Sequence, residues 1–167
     1  MELMSRATVR LATEQDLRAI DDIYNWYVPR STCTYQEEIE PFESRVKWFQ
    51  AHDERLPVTV AEVNGDICGW GSLSLFRERS AYRFTVENSI YVRHDAQQQG
   101  IGAALLQDLI ARARDAGHHS IMAIIDAEQT GSIALHAKFN FVHCALLKEA
   151  GYKFNRWLDV VYMQLML

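Results

Sequence analysis

Basic residues are in the minority. Seventeen Lys and Arg stand against 22 Asp and Glu, a formal charge of −5 over 167 residues. A protein that holds nucleic acid by its phosphates presents a basic face, so a mainly electrostatic nucleic-acid binder is not expected; one local basic patch for an anionic ligand stays open. Cysteine is scarce. Cys33, Cys68 and Cys144 are the three, with no Cys-x-x-Cys among them. An odd, widely spaced set argues against a disulfide framework and for free thiols in a reducing cytoplasm. No apolar run approaches the ~18 residues that mark a membrane span. The first ten residues carry Glu2 and no apolar segment of the secretory kind. A soluble, cytoplasmic protein without a membrane partner is therefore expected. Linkers rich in Pro, Gly or Ser are absent, as are repeats, so residues 1–167 are expected to form one domain. His-Glu-x-x-His is missing, and the adjacent pair His118-His119 is no substitute; no metal site is expected.

The composition present is that of an ordinary globular chain, with 49% hydrophobic and 23% charged residues. Ala7 to Leu11 can start a strand. Thr13-Glu14-Gln15-Asp16 resembles a capping box with Asp in place of Glu, and Leu17, Ile20, Tyr24 and Tyr27 then follow helical spacing. Pro41 to Asp53 reads as a second helix. Val58 to Val63 and Ile67 to Phe76 read as strands around Asn64-Gly65, a two-residue hairpin signal. Tyr82 to Val92 alternates as a further strand. Gly102 to Ala116 is helical, Ile121 to Ile125 is a short buried strand, and Ser132 to Phe139 is a short helix. Phe141 to Leu147 and Trp157 to Leu167 close the chain as strands. Consecutive strands followed by strand–helix alternation point to an α+β fold with a mixed sheet rather than a doubly wound one.

The most specific segment lies between the strand at residues 82–92 and the helix at 102–116: Gln97-Gln98-Gln99-Gly100-Ile101-Gly102-Ala103. Closely spaced glycines ahead of a helix let backbone N–H groups turn inward around an oxyanion. Gly-Lys-Ser/Thr is lacking, which excludes a Walker A loop, and a dinucleotide fingerprint would need a glycine at Leu105. Taken alone, the segment reads first as a plain strand-to-helix turn with two permissive glycines.

Gln97-x-x-Gly100-x-Gly102 resembles the pyrophosphate-binding loop of the GCN5-related N-acetyltransferases, and the resemblance extends along nearly the whole chain. Within that family the chain is most similar to the phosphinothricin and methionine sulfoximine acetyltransferases. Ile23-Tyr24-Asn25 with Thr32 to Tyr35, Arg79 to Tyr82 ahead of Thr85-Val86-Glu87-Asn88-Ser89-Ile90-Tyr91-Val92, Leu135-His136, and Gly151 to Phe154 with Arg156 to Val160 carry this likeness. Gln97 in place of the commoner Arg, Gln129 in place of Asn, and Asn140 in place of Gly depart from the pattern. The resemblance implies a single-domain, mostly antiparallel mixed sheet flanked by helices, with a splayed central strand pair. It also implies acetyl-CoA as co-substrate and a small amine as acceptor. Direct transfer in a ternary complex is expected, because no cysteine has the setting of an acyl-enzyme nucleophile. The expected reaction is acetylation of the α-amino group of an amino acid of the phosphinothricin, methionine sulfoximine or methionine sulfone type, in the sense of detoxification. A polyamine, an aminoglycoside or a protein N-terminus is the alternative acceptor, and a non-catalytic acetyl-CoA-binding module a third reading.

Amine acetylation needs a base for the ammonium proton, polarisation of the thioester carbonyl, and relief of charge on the leaving thiolate. Glu87 sits in an otherwise apolar strand, where burial would raise its pKa toward that of a useful base. Spacing alone makes a solvated strand-edge carboxylate an equal reading, and the resemblance favours the base. His136 can move a proton near neutrality, for the thiolate or the substrate, or can be structural. Arg77 and Arg79 offer forked donors for acceptor oxygens, or form a solvated Arg-Glu-Arg turn. Tyr35, Tyr82, Asn88, Ser89 and Lys153 join them as acceptor-side residues implied by the resemblance. On the coenzyme side it implies the backbone of Ile90, Tyr91 and Val92, the loop Gln97 to Ala103, Gln129 and Ser132. Similar proteins are commonly homodimers, and the apolar segment Trp157 to Leu167 is a candidate interface or an internal strand.

Overall fold

The computed structural model describes residues 7–167. The reading of a leader therefore falls largely outside the described residues, which begin after Arg6. Secondary structure starts with β1 (Thr8–Leu11) and a 3₁₀ turn at Glu14–Asp16. The Thr13–Asp16 capping box forms as expected: the Asp16 carboxylate accepts the Thr13 backbone N–H at 2.7 Å and holds two nitrogens of Arg10 at 2.8 and 2.9 Å. That turn launches α1 (Leu17–Tyr27), which buries Leu17, Ile20, Ile23 and Tyr27 along one helical stripe. After α2 (Phe42–Gln50) come β2 (Val58–Val63) and β3 (Asp66–Leu75). Asn64 and Gly65 join them with φ of 53° and 88°, the double positive φ that a tight hairpin requires. Then follow β4 (Thr85–Val92), α3 (Ile101–Asp115), β5 (Ser120–Asp126), α4 (Thr130–Lys138), β6 (Val142–Lys153) and β7 (Arg156–Met166).

The seven strands form one sheet in the order β1-β2-β3-β4-β5-β7-β6. Every neighbouring pair is antiparallel except β4 and β5, which run parallel. This is the α+β mixed sheet the chain's pattern predicts. Helices α3 and α4 cover one face over a core of Leu73, Val86, Leu106, Leu109, Ile121 and Met163. Helices α1 and α2 cover the other over Ile20, Ile23, Val60 and Trp70. Helix α3 lies directly on the β3 backbone, because Gly69 and Gly71 carry no side chain to hold it off. A Cβ at Gly69 would stand 3.0 Å from Ile101 Cγ2, and one at Gly71 3.0 Å from Leu109 Cδ1.

Two expected boundaries are corrected. Tyr82 to Phe84 are not strand: Ser80–Tyr82 form a 3₁₀ turn, closed by the Tyr82 N–H on Arg79 O and the Arg83 N–H on Ser80 O, and β4 begins at Thr85. Strand β6 does not stop at Leu147 but continues to Lys153. Its pairing with β7 slips between Leu147 and Gly151, where Glu149 takes φ 50°, and resumes to a tight turn at Phe154-Asn155, both at positive φ. The irregular stretch breaks the alternation that sequence reading depends on.

Strands β4 and β5 pair only through Thr85–Ser120, Val86–Ile121 and Glu87–Met122. From Asn88 onward β4 keeps β3 as its sole neighbour, through Gly69–Val92 to Leu73–Asn88. The sheet opens as a V at this point, and the candidate residues gather around it.

Candidate active site

Strand alternation sorts the β4 side chains between the two faces of the sheet. Val86, Asn88 and Ile90 face α3 and α4; Glu87, Ser89 and Tyr91 face α1 and α2. The main chain alternates as well. The carbonyls of Ser89 and Tyr91 lie 3.2 and 3.0 Å from where Cβ atoms on Gly71 and Gly69 would stand, so they point at β3. The N–H and C=O groups of Asn88, Ile90 and Val92 therefore point into the opening beside β5. Of these, the Val92 carbonyl is taken by the Tyr27 hydroxyl. Ile90 keeps a free peptide edge there, as an added strand-like ligand would need. Tyr91 stands apart from the coenzyme side: its ring packs on Trp70 at 4.9 Å and its hydroxyl donates to Cys33 O.

Glu87 is half-buried, and burial pushes its carboxyl pKa above the usual range, opposed by the positive charge of Arg77. A carboxylate that holds its proton to higher pH is a stronger base when ionised, which suits abstraction from an ammonium. Arg77 itself is exposed, donates to its own neighbour's carbonyl at Phe76, and lies 4.3 Å over the Phe76 ring. Arg79 is exposed at the start of the 3₁₀ turn, and Tyr82 packs edge-on against Phe76 at 5.9 Å. This loop leads directly into the strand that carries Glu87.

His136 lies on the opposite face from Glu87 and is 4% exposed. Its Nδ1 is 2.8 Å from the Ser132 carbonyl, which can only accept, so Nδ1 carries the proton. Nε2 then carries the lone pair and accepts from Asn88 Nδ2 at 2.9 Å. Burial depresses the imidazole's pKa and keeps it neutral. Both ring nitrogens are thus engaged, and a free proton for a leaving thiolate is not in hand. The Asn88 side-chain oxygen is buried with no partner among the described residues.

The loop between β4 and α3 turns at two residues of positive φ, one of them a glycine. Gln98 takes φ 62° and Gly100 φ 81°, turning the chain immediately before the first residue of α3. Ile101 is buried in the core by its side chain and can offer only backbone. A Cβ on Gly102 would stand 3.3 Å from Leu135 Cδ2, so this glycine keeps α3 close to α4. Gln97 does not extend from the loop: its amide donates to the Tyr27 hydroxyl at 2.7 Å. Gln99 lies within the turn, and Ala103 is in the first turn of α3. Ser132 lies in the first turn of α4, and Gln129, just before that helix, donates to the Thr32 hydroxyl at 3.1 Å.

The segment 28–41, between α1 and α2, straps across the end of the V. Thr32 and Tyr35 donate from their hydroxyls to the two oxygens of the buried Asp126, at 3.1 and 2.7 Å. Burial, reinforced by that contact with Asp126, pushes the Tyr35 phenol pKa up. Lys153 departs most from its expected role at the acceptor. It is 1% exposed and donates to the carbonyls of Ser31 and Thr34 at 2.8 and 2.6 Å, so it fastens the strap from beneath.

Sequence reading missed a polar cleft of ≈ 220 Å³ beside this site. Ser72, Ser74, Ser89, Trp70 and Tyr91 form its floor, and Asp21, Tyr24, Gln36, Glu40 and Arg45 contribute to its walls. The available signal was serine recurring at every second position after Trp70, on the face where a strand in a dry core would carry apolar residues.

Residues 20–141 match the acetyltransferase (GNAT) family. The phosphinothricin N-acetyltransferase of Alcaligenes faecalis is 41% identical over 160 residues, covering 94% of this chain and 81% of that protein. An L-methionine sulfoximine/L-methionine sulfone acetyltransferase of Salmonella typhimurium is 37% identical, covering 96% of this chain and 94% of its own length. Among solved structures, a phosphinothricin acetyltransferase from Sinorhizobium meliloti in complex with acetyl-CoA superimposes with a TM-score of 0.92 at 38% identity, covering 96% of this chain and 88% of that one. The open strand pair, the turn before α3 and these matches along almost the full length agree, and the chain belongs to the acetyltransferase (GNAT) family.

Proposed function

We propose that the protein transfers the acetyl group of acetyl-CoA to the α-amino group of small L-amino acids of the phosphinothricin and methionine sulfone kind. Acetyl-CoA, when bound, supplies an acetyl thioester. The residues present fit it: the turn at Gln98 to Gly100 leads into the N-terminus of α3, where an anion is favoured. The free peptide edge at Ile90 can hydrogen-bond an amide-rich arm lying in the V. Glu87 takes the ammonium proton from the opposite face of the strand. The exposed guanidiniums of Arg77 and Arg79 stand over the approach to it and favour an acceptor with anionic or dipolar oxygens over a polyamine. His136 acts by position, fixing the Asn88 amide at the apex of the V, rather than by moving a proton.

The observation that carries this reading is a half-buried, raised-pKa carboxylate at the last paired rung before the strands part. The test is thiol release from acetyl-CoA with L-phosphinothricin, L-methionine sulfoximine, L-methionine sulfone, spermidine and kanamycin. Turnover confined to the amino acids, and lowered by about 10²–10⁴ in Glu87→Gln, is the expected result. Turnover of the cationic amines alone overturns the acceptor assignment.

We further infer a homodimer in the reducing cytoplasm, with no nucleic-acid or membrane partner. Cys33, Cys68 and Cys144 are free thiols. Strand β6 is an edge strand of 12 residues exposing Val142, Leu146, Leu147 and Tyr152, and Trp157 beside it is 62% exposed. A long apolar edge of this kind is a template for association.

A further inference from the structure

Acetylation of an ammonium group sets two protons free. One ends on the coenzyme's thiolate, and the other must reach water. Glu87, which takes the latter, is half-buried. In the β3–β4 ladder Ser74 stands directly opposite Glu87. Opposed side chains share a face, with Cβ atoms about 5 Å apart, within reach of a glutamate. Beyond Ser74 stands His52, just past the end of α2, with Nε2 3.5 Å from the Ser74 hydroxyl. Contacts of this kind are often long until substrates bind, and tighten then. The His52 Nδ1 lies 2.7 Å from the Trp48 carbonyl. A carbonyl can only accept, so Nδ1 carries the ring proton and Nε2 presents its lone pair to Ser74. The imidazole also packs against the Trp48 indole, with 4.5 Å between ring centres, which holds its plane. His52 is itself half-buried, so one side of it stays open to water.

Resting on the reading of Glu87 as the base, we propose that Ser74 and His52 form a relay that carries the amine's proton from Glu87 to water. Once Glu87 holds that proton, its O–H donates to Ser74 Oγ while the Ser74 O–H donates to His52 Nε2. The Glu87 O–H bond breaks as a new one forms on Ser74 Oγ, and the proton Ser74 held before passes to Nε2. The ring becomes an imidazolium, its Nδ1 proton still on the Trp48 carbonyl. Loss of the Nε2 proton to water restores the neutral ring, and the carboxylate is free for the next amine. A glutamic acid and an imidazolium differ by about two pKa units in water. Burial raises the Glu87 pKa and lowers that of His52, which brings the two closer in proton affinity. At Glu87 the charge of Arg77 works against this. At His52 the Trp48 carbonyl and Asp53 favour the charged ring, and Arg45 of α2 disfavours it.

The experiment takes whichever amine of the panel above the wild type turns over fastest, and measures kcat and KM with saturating acetyl-CoA. The variants are Glu87→Gln, Ser74→Ala, Ser74→Thr, His52→Gln and His52→Ala, each with increasing imidazole at fixed pH and ionic strength. Ser74→Ala and His52→Gln are expected to lower kcat about tenfold with KM nearly kept, a smaller loss than removal of the base itself. Ser74→Thr keeps the hydroxyl on a residue that suits a strand, and should keep most of the wild-type kcat. Added imidazole should raise the kcat of His52→Ala and leave that of the wild type unchanged. A lowered kcat in His52→Ala that does not respond to imidazole marks His52 as structural and overturns the relay. Wild-type kcat in Ser74→Ala overturns it as well, with Glu87 still the base if Glu87→Gln is impaired. Unchanged turnover in Glu87→Gln overturns the base on which the relay rests. No turnover of any amine overturns the enzyme reading and the relay together.

Discussion

Replacing Gly151 by alanine tests whether the strap over the V is held as the contacts indicate. Gly151 sits in β6 opposite Leu158, with no positive φ, so alanine meets no backbone penalty there. The added methyl instead overlaps Tyr35 Cε2 and comes within 2.9 Å of Cδ2 and 3.0 Å of Cζ. The ring must move, and its hydroxyl then leaves Asp126. Overpacking of this kind costs about 1–3 kcal/mol. Tyr35 is 38% exposed and can swing toward water, which keeps the cost nearer the middle of that range. For a chain of this size that is about 4–8 °C in Tm. Urea denaturation of the wild type, Gly151→Ala, Tyr35→Ala and the double variant closes a cycle. The methyl should cost less than about 0.5 kcal/mol once the ring is gone, as a surface change would. An equal cost in both backgrounds refutes the steric argument. Displacement of the strap should also raise the acceptor's KM more than that of acetyl-CoA.

Arg77→Ala removes a positive charge that lowers the Glu87 pKa, so the acid limb of the kcat/KM profile should move to higher pH; a limb that stays in place would separate Arg77 from Glu87. His136 is neutral in the fold with a depressed pKa, so the unfolded chain takes up a proton near 6.5 that the folded chain does not. Stability should fall as pH drops below that value toward the folded pKa, and His136→Gln should flatten the fall in denaturation curves taken across the range. Trp157→Glu on the β6–β7 hairpin should turn a dimer into a monomer by sedimentation equilibrium at unchanged Tm of the monomer unit; a species that is already monomeric in the wild type would refute the interface.

The elements whose information is local were legible in the sequence. The capping box at Thr13–Asp16, the Asn64-Gly65 hairpin, the apolar stripe of α3 and the glycine turn before it each follow from short-range sterics or one periodicity. Glu87 was visible as a carboxylate in an otherwise apolar strand, with a solvated strand-edge position equally open; its burial, which raises its pKa, is set on the opposite face from Val86 and Ile90 and is a tertiary fact. Alternation along β4 also fixes that Glu87 and Asn88 point to opposite faces. Tertiary structure decided the rest, because a side chain's partner at long separation depends on which strands and helices meet. His136 reads equally as a proton carrier or a structural histidine until Ser132 and Asn88 are seen to occupy both its nitrogens. Lys153 reads as a ligand for an anion until the strap is found folded over it, with the carbonyls of Ser31 and Thr34 on its ammonium. Arg45 carries no local signal at all. Only the packing of α2 over β3 and β4 sets its guanidinium among three aromatic rings, at the back of a cleft whose floor continues to Glu87.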